Sequence, residues 1–327
     1  MKVQPTYTEA GRRRLLDRVG EAAKPDAALL AQVAWAYHRA DRPVDRDDFL
    51  QRALAADPRQ PAAHFLLAER AVRSNRFEDA RREYETGFAA GGEEFYALMQ
   101  YTRLLAREGG LLDEEPPHGH PAPKPAFDDA QKALAERLLE LLERAKRCFP
   151  RYVRDESPYF LRARLLERLG RGSESLAELR AYCAINDSDG GARRILVKKA
   201  LERNDFEEAD KYLIELRTID PFDRHLWRDL ARCEKELQRP ADAIRMLSLA
   251  LVIDPSTEAA YDPTRPRDDL QADDAATRAQ LLFDLADLYL LVGERARAQR
   301  SLDEARKLAP DDERAADLAR RLESSGG

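Results

Sequence analysis

The feature that most restricts what this chain can fold into is a pattern that returns after 34 residues. Counted from Arg224, the residues Trp227, Leu230, Ala231, Ala243, Leu247, Ala250 and Pro255 take places 4, 7, 8, 20, 24, 27 and 32 of a 34-residue frame. Counted from Gly190, the residues Leu196, Val197, Ala209, Leu213, Leu216 and Pro221 take places 7, 8, 20, 24, 27 and 32. A fixed period of this size marks a chain assembled from repeated helical units. Places 4, 7, 8 and 11 form one face of a first helix, and places 20, 24 and 27 one face of a second. Small side chains at 8 and 20 let the two backbones approach. Asp220-Pro221 and Asp254-Pro255 then stop the second helix, because proline lacks an N–H and restricts the residue before it.

A further frame at 279–312 places Leu282, Leu285, Ala286, Tyr289, Ala298, Leu302, Ala305 and Pro310 at all eight signature positions, with Gly293 at the turn. Together these residues resemble the tetratricopeptide repeat (TPR). The resemblance implies an all-α fold, an α-solenoid (superhelix) of about seven helix-turn-helix units with an N-terminal helix and a C-terminal capping helix. It implies an architecture and no chemistry, since one fold hosts many functions.

The frame divides the chain as follows. Residues 1–26 hold an N-terminal capping helix, with Leu15, Leu16 and Val19 on one face, stopped by Lys24-Pro25-Asp26. Units at 27–60, 61–94, 95–152, 156–189, 190–223 and 224–257 follow, the third carrying an insertion at 109–126 with five prolines in ten residues, which excludes helix there. Arg46 sits at a small-residue place in the first unit, so looser packing is expected there, and Arg162 stands at place 7 of the fourth. An inserted acidic loop is expected at 258–278, with Asp273 or Asp274 capping the next helix. The seventh unit is 279–312, and 313–327 reads as a capping helix and tail that shields the last apolar face.

Composition narrows the function classes. A net charge of −6 argues against a general nucleic-acid or membrane-surface binder. No apolar run approaches the ~18–20 residues of a membrane span, and the first twenty residues lack a signal peptide's apolar centre, so a cytoplasmic location is expected. Cys148, Cys183 and Cys233 are far apart and read as small packing residues. His38, His64 and His225 fall in separate first helices without metal-ligand spacing, and His118 and His120 form the one close pair, two ligands at most. No phosphate loop, nucleophile elbow or paired-carboxylate motif is present, so no catalytic residue, metal or cofactor is expected and the chain reads as non-catalytic.

What remains is a surface pattern. By the resemblance, places 2, 5, 9 and 12 of each first helix line a concave groove that takes an extended peptide or partner helix. Place 9 holds Trp35, Glu69, Arg103, Arg164, Lys198, Arg232 and Asp287, basic in four successive middle units. Arg194 and Arg228 at place 5, with Arg107, Arg168 and Lys235 nearby, extend the basic stripe, while Phe65, Met99 and Phe160 at place 5 add apolar anchors. Asp205, Glu207, Glu208, Asp210 and Glu215 put compensating acid on the other side of the fifth unit. A protein or peptide partner is therefore expected, an acidic segment with hydrophobic anchors, with arginines pairing to its carboxylates. The chaperone-binding variety of TPR is not matched, because place 9 of the first unit is Trp35. A second expectation is that the chain is the accessory region of a larger enzyme, since its arrangement, opening at Lys2-Val3-Gln4-Pro5-Thr6-Tyr7, is similar to TPR tails that follow metallopeptidase-like domains in some bacterial proteins.

Overall fold

Helix starts are set by two local devices. Thr8, Asp26, Asp128, Asp189, Asp205 and Asp223 stand in front of helices and accept backbone N–H groups of the first turn, which would otherwise lack partners. Pro43, Pro61, Pro158 and Pro240 occupy the first helical position, where a missing N–H costs nothing.

The computed structural model describes residues 8–22, 24–111, 127–154, 156–254 and 267–324, the side chains of 267–273 excepted. Every regular element among them is an α-helix: α1 (Glu9–Glu21), α2 (Ala27–Arg39), α3 (Pro43–Ala56), α4 (Pro61–Arg73), α5 (Phe77–Ala89), α6 (Phe95–Glu108), α7 (Asp129–Cys148), α8 (Pro158–Arg168), α9 (Gly172–Cys183), α10 (Gly190–Glu202), α11 (Phe206–Ile219), α12 (Arg224–Glu236), α13 (Pro240–Val252), α14 (Arg267–Leu291), α15 (Arg295–Leu308) and α16 (Glu313–Ser324). The first helices α2, α4 and α6 begin 34 residues apart, as do α10 and α12. The helices pack as hairpins, α2 on α3, α4 on α5, α6 on α7, α10 on α11, α12 on α13 and α14 on α15, and the fold is an all-α repeat of the solenoid class. In each tight turn a residue adopts the left-handed conformation, among them Asp41, Asn75, Gly170, Asn204, Gln238 and Gly293. No helix among the described residues is long and apolar enough to cross a membrane.

The chain forms two compact units, divided between Glu178 and Leu179 inside α9. In the first unit, the insertion leaves the α6–α7 hairpin intact: Leu98, Tyr101 and Leu105 are buried in one core with Leu138, Leu142 and Ala145. Residues 112–126, including His118 and His120, lie outside the described residues, as do 2–7. Arg46, at the small-residue place of the first hairpin, folds its guanidinium onto Asp47 at 2.7 Å with its side chain mostly buried. Arg162, placed where the pattern wants leucine, is held by Glu178 at 2.7 Å. The same carboxylate takes Lys146 at 2.8 Å, so one buried acid joins α7, α8 and α9.

In the second unit Trp227 is 8% exposed and donates its indole N–H to the Pro221 carbonyl at 2.8 Å, which fixes the entry to α12. At the far end Ala315 and Leu318 of α16 cover Leu302 and Ala305 of α15. One expectation fails here. The helix expected to open at Asp273 or Asp274 begins at Arg267, inside the stretch read as an acidic loop at 258–278. The acids that resemble a cap are interior helix positions, and Asp274 pairs with Arg224 instead.

Of the compensating acids, Glu208 is structural. Glu208 receives two bonds from the Arg180 guanidinium, at 2.6 and 2.9 Å, and one from Arg203 at 2.8 Å. The Arg180 bond holds the Glu208 carboxyl below its ordinary range. A depressed folded-state value adds stability above the unfolded carboxylate range, and that contribution disappears as pH falls through the folded value. Glu208→Gln is therefore expected to lower the thermal midpoint at pH 7 and to leave it nearly unchanged at pH 2.5, as followed by circular dichroism across a pH series.

Candidate functional site

In the first unit, α2, α4 and α6 surround a cavity of about 640 Å³. Their 34-residue offset brings Trp35, Phe65, Met99 and Arg103, four of the expected groove residues, into one lining. Trp35 is fixed by its indole N–H on the Ala62 carbonyl at 2.8 Å. Phe65 is 3% exposed because glycines make room for it: a Cβ on Gly87 would come within 2.5 Å of its ring, and one on Gly92 within 2.7 Å. Met99 is also buried at the cavity wall.

Several lining groups fall outside the place-5 and place-9 scheme. Tyr152 comes from the chain after α7, Tyr84 from α5, and Glu94 from the residue before α6. Tyr152 lies tilted against Phe95, ring centres 4.6 Å apart, and Phe95 is edge-on to Phe149, so an aromatic wall closes one side. Arg39 and Arg73, at place 13 of their helices, join Arg103 as cations of the rim. Glu69 opposes them. Burial pushes its carboxyl up, but the His38 bond at 3.0 Å and the charges of Arg39 and Arg73 outweigh this and leave it below the usual range. Burial pushes the Glu94 carboxyl up even though it accepts the Ala97 N–H to start α6.

The remaining first-unit residues do not line this cavity. Arg107 is exposed and lies over the Phe77 ring at 5.5 Å. Arg168 donates to the Leu111 carbonyl at 2.6 Å and lies 3.9 Å from the Phe127 ring centre, so it fastens the edges of the inserted segment. Phe160 and Arg164 are half-buried on α8.

In the second unit a groove of about 480 Å³ separates α10 from α12, with Arg194, Lys198 and Arg232 on its walls and Val197, Leu201, Leu213, Leu216 and Leu226 as its apolar floor. Another, of about 430 Å³, separates α12 from α14 and shares Asp229 and Arg232 with the first. Part of the basic stripe is spent internally. Arg194 pairs with Asp220 at 2.7 Å and with Asp223, Arg228 with Asp284 at 2.6 Å, and Lys235 with Asp287 at 2.6 Å. Lys198 and Arg232 are exposed, and neither has a carboxylate within 4.0 Å among the described residues. Burial pushes the Asp229 carboxyl up against the pull of Arg232 and Arg228.

Elsewhere, His64 is held by Glu83 at 2.7 Å and by the Pro58 carbonyl, both structural contacts. Cys183 and Cys233 are buried packing residues, with burial pushing the Cys183 thiol up to about 11 and the Cys233 thiol up to about 12. Cys148 is exposed, contrary to the packing role expected of it. No group of three or more metal-ligating side chains occurs among the described residues.

No protein-family model matches the chain, and no curated protein matches it. Among solved structures it is similar to a TPR protein from Parabacteroides merdae, at 14% identity, covering 90% of this chain and 98% of that one, with a TM-score of 0.38. It is also similar to the C-terminal part of a TPR repeat-containing protein from Cytophaga hutchinsonii, at 11% identity, 88% and 98% coverage and a TM-score of 0.44. A third is YrrB, described as a TPR protein with an unusual peptide-binding site, at 14% identity, 75% and 94% coverage and a TM-score of 0.37.

Proposed function

We propose that this chain, a tetratricopeptide-type repeat protein, acts as a non-catalytic scaffold that holds a segment of a partner protein against the concave side of its first helices. The supporting observation is the 640 Å³ cavity of the first unit, where three successive first helices present an aromatic and aliphatic lining under a rim of Arg39, Arg73 and Arg103. Such a lining takes an apolar side chain as an anchor, and the rim takes acidic residues on either side of it. The same shape would serve equally as the accessory region of a larger protein, because the surface acts by holding.

A phage-displayed random peptide library selected on the full chain tests this. Enrichment of segments with a large apolar residue flanked by aspartate or glutamate is expected. Tyr96, half exposed at the cavity rim, and Arg103, whose Glu156 ion pair lies at the surface and is worth little, can be changed without cutting the core. Tyr96→Ala with Arg103→Glu is expected to weaken capture of the enriched peptides by roughly tenfold or more with an unchanged melting curve. Raising the salt should weaken the parent's capture as well, because exposed charge pairs are screened over about 8–10 Å. Library enrichment that is indifferent to both changes would remove this cavity as the docking surface.

A further inference from the structure

We infer that the second unit carries its own recognition point, between α10 and α12, for a single acidic side chain within an extended peptide, with Lys198 and Arg232 closing on the carboxylate from opposite walls. This rests on the reading of the concave side as the binding face, but it uses different residues from the first-unit cavity.

Three observations carry it. First, the ion pairs sort the basic residues of this face. Arg194, Arg228 and Lys235 are each neutralised by an aspartate of the same unit, whereas Lys198 and Arg232 have no carboxylate within 4.0 Å among the described residues. Two neighbouring cations left open on facing helices repel each other, and an incoming carboxylate removes that repulsion. Second, two of the three acids of the same groove are already engaged. Asp223 caps α12 and pairs with Arg194, and Glu202 lies 3.9 Å from Lys199. That leaves two positive charges against Asp229 alone, a surplus that fits one carboxylate.

Third, the groove has a neighbour across α12. The cavities on the two sides of α12 share Asp229 and Arg232 in their linings, so Arg232 borders both and a segment crossing α12 would pass over it. A track passing over the recognition point suits an internal aspartate or glutamate rather than a chain terminus. The floor of Val197, Leu201 and Leu226 suits aliphatic residues beside it, since alternate side chains of an extended peptide point to opposite sides. The predicted ligand is thus an extended segment alternating acidic and aliphatic residues.

The test uses the full chain and a fluorescein-labelled nonapeptide alternating aspartate and leucine, amidated at its C-terminus, with binding followed by anisotropy. Lys198→Glu with Arg232→Glu is expected to weaken binding by about tenfold or more, and Lys198→Gln with Arg232→Gln by a smaller factor should the reversed pair fold poorly. Replacing every aspartate of the peptide by asparagine is expected to weaken binding by the same order, and binding at the second-unit groove is expected to persist in a chain that carries Tyr96→Ala with Arg103→Glu. Equal binding of the asparagine peptide, an unaffected Lys198/Arg232 pair of variants, or binding only by a free-acid form would each overturn the inference. Loss of binding in the Tyr96/Arg103 variant alone would overturn it while leaving the first-unit reading in place. Failure of this peptide and of the library selection together would remove the concave side as a binding face altogether.

Discussion

Replacing Trp227 with alanine is expected to cost about 3–5 kcal/mol, the usual range for emptying a buried tryptophan site. The indole is 8% exposed, and its N–H bond to the Pro221 carbonyl ties the start of α12 to the end of the preceding hairpin. Both the packing and the tie vanish in the variant. Because a hairpin of this kind is stable only through its neighbours, the loss should spread along the second unit instead of staying local. The chain has two tryptophans, and the other, Trp35, lies in the first unit. In urea, the helical circular dichroism signal of Trp227→Ala is expected to begin falling well before Trp35 emission reports unfolding. A variant whose dichroism transition coincides with that of the parent would show that Trp227 is not an anchor.

Glu178→Ala is the second large effect, at about 3 kcal/mol, because removing one member of a buried charge network strands the others. Glu178 holds Lys146 at 2.8 Å and Arg162 at 2.7 Å, and all three side chains are less than one-fifth exposed. The loss is placed at the low end of the range for buried pairs because Glu143 remains near both cations, at 3.2 and 3.6 Å. The double variant Glu178→Leu with Arg162→Leu is expected to recover much of the loss, since it restores the apolar residue that the repeat pattern places at position 162. Chemical denaturation of the parent, single and double variants gives the comparison. A Glu178→Ala protein within 0.5 kcal/mol of the parent, the range of an ordinary surface change, would contradict the network.

The repeat was legible because it is written in side-chain volume. Ala231 and Ala243, or Leu196 and Leu213, announce which faces meet without any knowledge of the rest of the molecule. Place counting also found four residues that first helices give to the first-unit cavity, Trp35, Phe65, Met99 and Arg103, but not Arg39 and Arg73 of the same helices. It missed Tyr84, Glu94 and Tyr152, which reach the same space from a second helix and from connecting chain. It could not say which members of the basic stripe are open. Whether a guanidinium is open or spent depends on a carboxylate that is distant in sequence, as Asp284 is from Arg228, and helical period says nothing about such partners. Asp273 and Asp274 misled for a related reason. Aspartate is favoured at caps and tolerated inside an acidic helical stretch, and the sequence before them holds no proline after Pro266 to force a boundary.

The left-handed turn residues carry a last consequence. Asp41, Asn75, Asn204 and Gln238 hold a backbone shape that glycine takes freely and that costs a side-chain-bearing residue roughly 1 kcal/mol. Each such turn is a small adjustable weight on one hairpin, remote in chemistry from the lining of either cavity. Selection could therefore set the thermal tolerance of the array turn by turn while leaving its ligand preference alone.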